Sequence, residues 1–403
     1  MIDLCLIFLR FDMSSLSFSK RTPFVHENVY AQGLKSQEIK YDLTSSNPTR
    51  VGFSALSMHA LLEGVFDQAY LADSLGSVKA RQLINDHFYP NSKSVDDLCL
   101  TASTSEAYGL IFKILCDHGD EILVPRPSYP LFEALADLDG VHLKAYGLYH
   151  DGDDWWIDFH TLIQSISPRT KAIIIVNPNN PTGHYLKPSE FKQLEDLGIP
   201  LIVDEVFKGF DLNGFSGEMI DFQSSSLPCF VLNGLSKWAG LPFVKVGWIK
   251  VSGQLDWQKE AIERLAWAND AYLSLNGLSS FAVERGLLSH CEVRRNEILS
   301  RIRENDLLLN RLLLNQNQHL VKRNQQSAGW MSILSLPLLH DDETWCLLLL
   351  EKLGVLVQPG YFYDFEQSAK VVISLITPTD LLEAGMIHLI DFIEKEMEKH
   401  CHA

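Results

Sequence analysis

Apolar residues along this chain fall into short unbroken runs rather than alternating ones. EILVP (121–125), HLKAYGL (142–148), KAIIIVNP (171–178), PLIVDEV (200–206), CFVLNGL (229–235) and VKVGWIKV (244–251) each read as a strand. Between them, residues 105–117, 130–138 and 187–196 read as helices. Strands that are apolar throughout, separated by helices, predict an α/β fold with a parallel sheet covered on both faces. Upstream, residues 55–87 carry helical periodicity around a break at Ala72–Gly76. Downstream, 255–315 is helical with a break near Leu275–Leu278. From Gly329 the runs GWMSILSL, GVLVQPG and AKVVISLI precede a last helix over about 379–398. That tail is a smaller α+β layer. The expected division is 1–50 as an arm and part of a small domain, 51–290 as a large domain, and 291–403 as the small C-terminal domain. No internal repeat or low-complexity tract interrupts it.

Open α/β sheets bind ligands at the carboxyl ends of their strands, and the chemistry-bearing residues cluster there. KAIIIV runs into NPNNPTG (177–183), where prolines stop the strand, a glycine allows unusual backbone, and asparagines offer donors and an acceptor. A plain turn and a mount for a planar polar ligand both fit. PLIVDEVF places Asp204 at the end of an apolar run, where a carboxylate needs a partner: a helix cap, an ion pair, or a buried cation. GLSKWAGLPFVKVGW carries Lys237 between Ser236 and Trp238, with Lys245 eight residues on. A lone lysine is ordinarily a solvated side chain; between two strand ends it is a candidate nucleophilic amine. LTASTSEAYGLIF puts Ser103, Thr104 and Ser105 at a helix start. That is a capping box of Ser103 with Glu106, an anion site, or both. In PRPSYPLF, Tyr129 is either core or a rigid stacking ring.

Composition narrows the class. A chain of 403 residues, 46% hydrophobic, has material for a large core. Its net charge of −17 argues against a nucleic-acid-binding face. The seven cysteines show no CxxC or metal-type spacing, which fits a reduced, cytoplasmic setting and no metal. MIDLCLIFLRF at the N-terminus is apolar but short and lacks a basic flank, so it is expected to be an arm rather than a signal. No run of about twenty apolar residues predicts a membrane span.

The order of these features, from the hydroxyl-rich helix start through SYP, NPTG, DE and SK to a second cation, resembles the pyridoxal-phosphate (PLP) enzymes of fold type I, specifically the class I/II aminotransferases. The resemblance runs from YDLTSSNPT (41–49) to GVLVQPG (354–360), and VNPNNPTG, VDEVF and LSKWAGLPFVKVGW are its most specific parts. It implies a PLP-dependent transferase moving an amino group between an amino acid and a 2-oxo acid, working as a homodimer. The alternative is a lyase or decarboxylase of the same fold, or, more remotely, a non-catalytic PLP-binding protein. By the same resemblance Lys237 forms the covalent link to the coenzyme and shuttles the proton. Asp204 faces the pyridine nitrogen, Asn180 bonds the phenolic oxygen, and Tyr129 stacks on the ring. Ser103, Thr104, Ser105 and Ser236 lie around the phosphate, and Tyr70 reaches the neighbouring subunit's phosphate.

Several positions depart from the family pattern. Phe207 stands where a tyrosine is usual, Lys245 replaces a phosphate-binding arginine, and Gly234 replaces a serine. Val372, in KVVISLI, stands where relatives carry the arginine that grips the substrate carboxylate. A carboxylate without a bidentate guanidinium is bound less well. Arg50 is the nearest substitute by motif and Lys370 the second, unless Arg50 is simply a surface residue.

Overall fold

In the computed structural model the described residues are 19–22, 29–53, 58–67, 69, 71–92, 94–212, 217–273, 275–366 and 368–401. The apolar N-terminal run and Tyr70 lie outside them.

A short strand, β1 (Tyr41–Asp42), precedes the large unit. There, β2 (Leu98–Thr101), β3 (Glu121–Arg126), β4 (His142–His150), β5 (Trp155–Ile157), β6 (Thr170–Val176), β7 (Leu201–Asp204), β8 (Cys229–Gly234) and β9 (Gly247–Ser252) form one sheet. Its order is β2-β9-β8-β7-β6-β3-β4-β5. The five strands from β8 to β4 run parallel, as the apolar runs predict. The edges do not: β9 is antiparallel to both β8 and β2, and β5 is antiparallel to β4. Alternate residues sort to opposite faces. Ile122, Val124, Ile174, Ile202 and Phe230 pack under helices Thr104–Leu115, Leu131–Asp139 and Leu255–Asp270. Leu123, Ile173, Ile175, Val203 and Val231 pack under Phe159–Ser165 and Pro188–Leu197. Both faces are dry, which is why these strands lack polar alternation.

Register brings one set of strand ends together. Thr101 pairs with Gly247, Gly247 with Gly234, Leu232 with Asp204, and Asp204 with Val176. Because β9 runs backwards, its beginning lies beside the ends of β2, β8, β7 and β6. The segment 244–246, read as strand from its valines, is instead turn leading into β9.

The second layer holds β10 (Lys322–Arg323), β11 (Met331–Ser335), β13 (Gln358–Pro359) and β14 (Lys370–Ser374), antiparallel in the order β10-β11-β14-β13, while β12 (Val355–Leu356) pairs with β1. Helices Asp342–Leu353, Thr379–Cys401 and Val29–Ser36 close over it, with Trp345, Leu349, Val371 and Leu389 at its centre. The predicted helical stretch 255–315 is three helices: Leu255–Asp270, Gly277–Glu284 and Leu287–Leu314. The 28-residue Leu287–Leu314 helix carries Cys291 into the large unit's core and Ile298 and Ile302 into the small layer's.

Candidate active site

The turn NPNNPTG spends two of its three asparagines on itself. The Asn177 amide donates to the Asp204 carbonyl at 2.8 Å, and its Oδ1 accepts from Leu186 N at 2.9 Å. Asn179 Nδ2 donates to Pro127 O (3.1 Å) and Thr182 Oγ1 (3.0 Å), while its backbone joins His184 O (2.8 Å) and Gly183 N (2.7 Å). Pro178 and Pro181 both follow cis peptide bonds. Asn180 differs: it is buried, yet its Oδ1 has no hydrogen-bond partner. An orphaned buried amide oxygen is costly and calls for a ligand. Gly183 sits at φ 69°, and a Cβ there would lie 2.3 Å from the Ala328 carbonyl. Only glycine lets the turn close against the loop leading to β11. Behind the turn, Glu190 holds it to β5: its carboxylate accepts from Ile157 N, Lys187 N and His184 Nε2 at 2.7–3.0 Å.

Asp204 ends β7 rather than following it, and the residue is 8% exposed. Val206 N donates to Oδ1 and the Tyr108 hydroxyl to Oδ2, each at 3.0 Å. Burial pushes this carboxyl up to about 6, against the pull of those two donors and of Lys237. Lys237 lies in the turn Leu235–Trp238 directly after β8. Burial lowers its ammonium pKa, with Asp204 opposing. Its Nζ is 5.5 Å from the ring centre of Trp330 and 6.0 Å from that of Phe207. Those two rings meet edge-on at 5.4 Å, so the amine lies near aromatic carbon while it feels the Asp204 charge. Tyr129, 45% exposed after β3, feels the Asp204 charge as well as its own burial, both of which raise its phenol.

At the sheet's next strand end, Ser103 caps helix Thr104–Leu115: its Oγ accepts from Glu106 N at 3.1 Å. Glu106 reaches back to the Ala102 amide at 2.6 Å rather than to that of Ser103, so the expected box is offset by one residue. Ser236 is half-buried after β8, Lys245 is exposed, and Ser103, Thr104 and Ser105 are half-buried at this helix start. β9 presses on it: a Cβ on Gly247 would lie 2.9 Å from the Ser103 carbonyl carbon, and one on Gly234 2.9 Å from Val246 O. A serine at 234 would collide with β9, which explains that departure. Lys245 itself holds φ 58°.

The substrate side departs most. Val372 is wholly buried with Trp155, Met331, Ile333 and Tyr363. Lys370 Nζ is engaged by Ser335 Oγ at 2.6 Å, and Arg50 is exposed. So the place expected for a guanidinium is filled by an apolar cluster shared by β5, β11, β14 and the turn Gly360–Tyr363. Tyr108 and Trp330 are the residues that motif reading missed. Tyr108 is hidden in the helix's apolar face, and Trp330 lies in a strand-like run.

Residues 70–384 match the family described as aminotransferase class I and II, and the chain belongs to that family. It is therefore an enzyme of the PLP-dependent aminotransferase type. Among characterised relatives, alanine aminotransferase of Mycobacterium tuberculosis is 26% identical over 297 residues, covering 66% of this chain and 68% of that one. Nicotianamine aminotransferase A of Hordeum vulgare is 25% identical over 360 residues, covering 85% and 76%. The alanine aminotransferase of Pyrococcus furiosus superposes with a TM-score of 0.77 at 26% identity, over 90% of this chain and 94% of that chain. The tyrosine aminotransferase of Leishmania infantum shares the fold at 0.77 and 21%, over 93% and 99%.

Proposed function

We propose that this chain transfers amino groups between an amino acid and a 2-oxo acid with PLP held at the carboxyl end of the main sheet. The observation that carries the reading is the buried, unengaged Asn180 Oδ1 in the turn after β6, the strand that pairs Val176 with Asp204. A pyridine aldehyde bearing a phenolic oxygen and a phosphate has a group for each residue present. The aldehyde suits the Lys237 amine, the ring nitrogen Asp204, the phenolic oxygen Asn180, and the phosphate the helix start at Ser103, Thr104 and Ser105, with Ser236 and Lys245 beside it. Tyr129 would stack on the ring. When bound, PLP supplies the electron sink for charge developing at the substrate Cα.

The chain's own residues supply the rest. Asp204 keeps a proton on the ring nitrogen by staying ionised. Burial favours the neutral amine of Lys237, the form that would take the Cα proton and return it. Phe207 and Trp330 would keep water from the amine, and Phe207, lacking a hydroxyl, offers the phenolic oxygen no hydrogen bond. With Val372 sealed in apolar packing, the substrate carboxylate must be met from elsewhere, and Arg50, exposed in the segment before the large unit, is the cation we assign to it.

A second copy of the chain completes the unit. Phe66, Leu71, Val78 and Leu278 are 44–90% exposed and flank a groove of about 640 Å³. Exposed apolar surface of this kind marks an association face, which supports the homodimer reading. Among the described residues no helix is long and apolar enough to cross a membrane, and the described cysteines are free, which supports the cytoplasmic reading.

The test is product analysis. PLP-loaded protein given an L-amino acid should release the 2-oxo acid and pass the amino group to a second oxo acid. Release of an amine without oxo acid would support the decarboxylase reading instead. An Arg50→Ala variant should raise the amino acid KM, and an unchanged KM removes Arg50 from that role.

A further inference from the structure

Tyr108 occupies a position no motif marks. It lies on helix Thr104–Leu115, five residues after the Ser103 cap, so one helix serves the anion end and reaches the Asp204 carboxylate. Its ring is 2% exposed and is held edge-on by Phe132 at 5.3 Å and tilted against Phe112 at 6.1 Å. The hydroxyl therefore has one direction to point. Burial and the facing carboxylate both keep the phenol protonated, which makes it a fixed donor.

The charged and titratable groups around Asp204 come from four elements. Lys237, after β8, favours its ionised form, and Glu205, its neighbour on the strand end, disfavours it. Tyr129, after β3, sees its charge. Tyr146 of β4 lies near the Tyr108 phenol, but its own hydroxyl is spent on the Ile174 carbonyl at 2.8 Å. Glu205 is itself tied to Lys208 at 2.8 Å. Only Val206 N and Tyr108 donate hydrogen bonds to the carboxylate among described residues, one to each oxygen.

We propose that Tyr108 is a positioning residue for the amino-transfer reaction, its hydroxyl fixing both the aim and the ionised state of the Asp204 carboxylate. Each carboxylate oxygen spends one lone pair inward and keeps another for the cleft. Without the phenol, Oδ2 is free to rotate or to take up a proton, and a protonated Asp204 cannot hold a proton on a ring nitrogen. The inference rests on the proposed function.

The test is an infrared titration of carboxyl groups in the coenzyme-free protein, with Asp204→Asn subtracted to identify the Asp204 band. Tyr108→Phe keeps the ring and its contacts. The titration midpoint should rise by about one to two pH units, the worth of a hydrogen bond to a charged group. Replacing Tyr108 with 3-fluorotyrosine, a stronger donor of nearly the same shape, should move it down. The acid limb of the loaded enzyme's pH profile should follow in both cases, which a purely structural role would not produce. An unmoved midpoint, or shifts of the same sign in both variants, overturns the proposal. If Tyr108→Phe does not fold, the fluorinated protein decides alone. Wild type that binds PLP while the midpoint stays fixed sinks this inference only; wild type that binds no PLP sinks it together with the functional reading.

Discussion

Replacing Lys245 with glycine should strengthen the fold and weaken coenzyme binding at once. Lys245 sits at φ 58°, in the left-handed region, two residues before Gly247 packs on the Ser103 helix start. A non-glycine residue there costs about 1–2 kcal/mol. Glycine removes that strain but gives the unfolded chain more freedom, worth about 0.5–1 kcal/mol. The net is a gain of up to about 1.5 kcal/mol, read as a higher urea midpoint in the coenzyme-free protein. The same change removes the exposed cation that the proposed function assigns to the phosphate. A solvent-exposed charge pair is worth up to about 1 kcal/mol, so PLP should bind about fivefold more weakly. The loss should shrink as salt screens the charge. Fluorescence quenching gives the affinity, and Lys245→Ala separates the effects because it loses the charge but keeps the strain. If Lys245→Gly binds PLP as tightly as wild type, or loses stability and affinity together, the lysine is not held there for the anion.

Three further outcomes follow from named contacts. The folded-state pKa of Asp204, about 6, exceeds the ordinary carboxylate value, so its buried charge costs stability above pH 6, and the cost fades as pH falls through 6. Asp204→Asn should therefore raise the urea midpoint at pH 8 by the equivalent of about 1–3 kcal/mol, lose that advantage near about pH 4, and abolish amino transfer. Val372→Arg puts a guanidinium into the Trp155–Ile333–Tyr363 cluster; it should destabilise by about 3 kcal/mol or more in chemical denaturation and leave the amino acid KM no lower. Gly183→Ala drives a methyl into the Ala328 carbonyl, so it should unfold at a lower temperature and release PLP on gel filtration.

Residues that follow an apolar run were legible in the sequence because strand ends are where it changes character abruptly. Asp204, Lys237 and Asn180 all stand one to four residues past such a run, and register, not sequence, then sets them side by side. What escaped has a physical reason in each case. LCLT and WWI are too short for periodicity to speak, so β2 and β5 were not foreseen. β9 reads like its parallel neighbours because burial on both faces, not direction, sets its composition. Tyr108 was absorbed into helical periodicity because its ring does pack in the core, and only its hydroxyl serves the site. The replacement of a cation by Val372 was visible as a departure, but the five-residue cluster that makes it irreversible by one substitution is drawn from three strands and the turn Gly360–Tyr363, distant in sequence.

The most direct measurement is where the coenzyme attaches. PLP-loaded protein is reduced with borohydride, digested, and its peptides weighed. A single pyridoxyl adduct on the peptide carrying Lys237, absent from Lys237→Ala, is the predicted result. An adduct on another lysine, or a protein that stays colourless and unlabelled with PLP, would contradict the account.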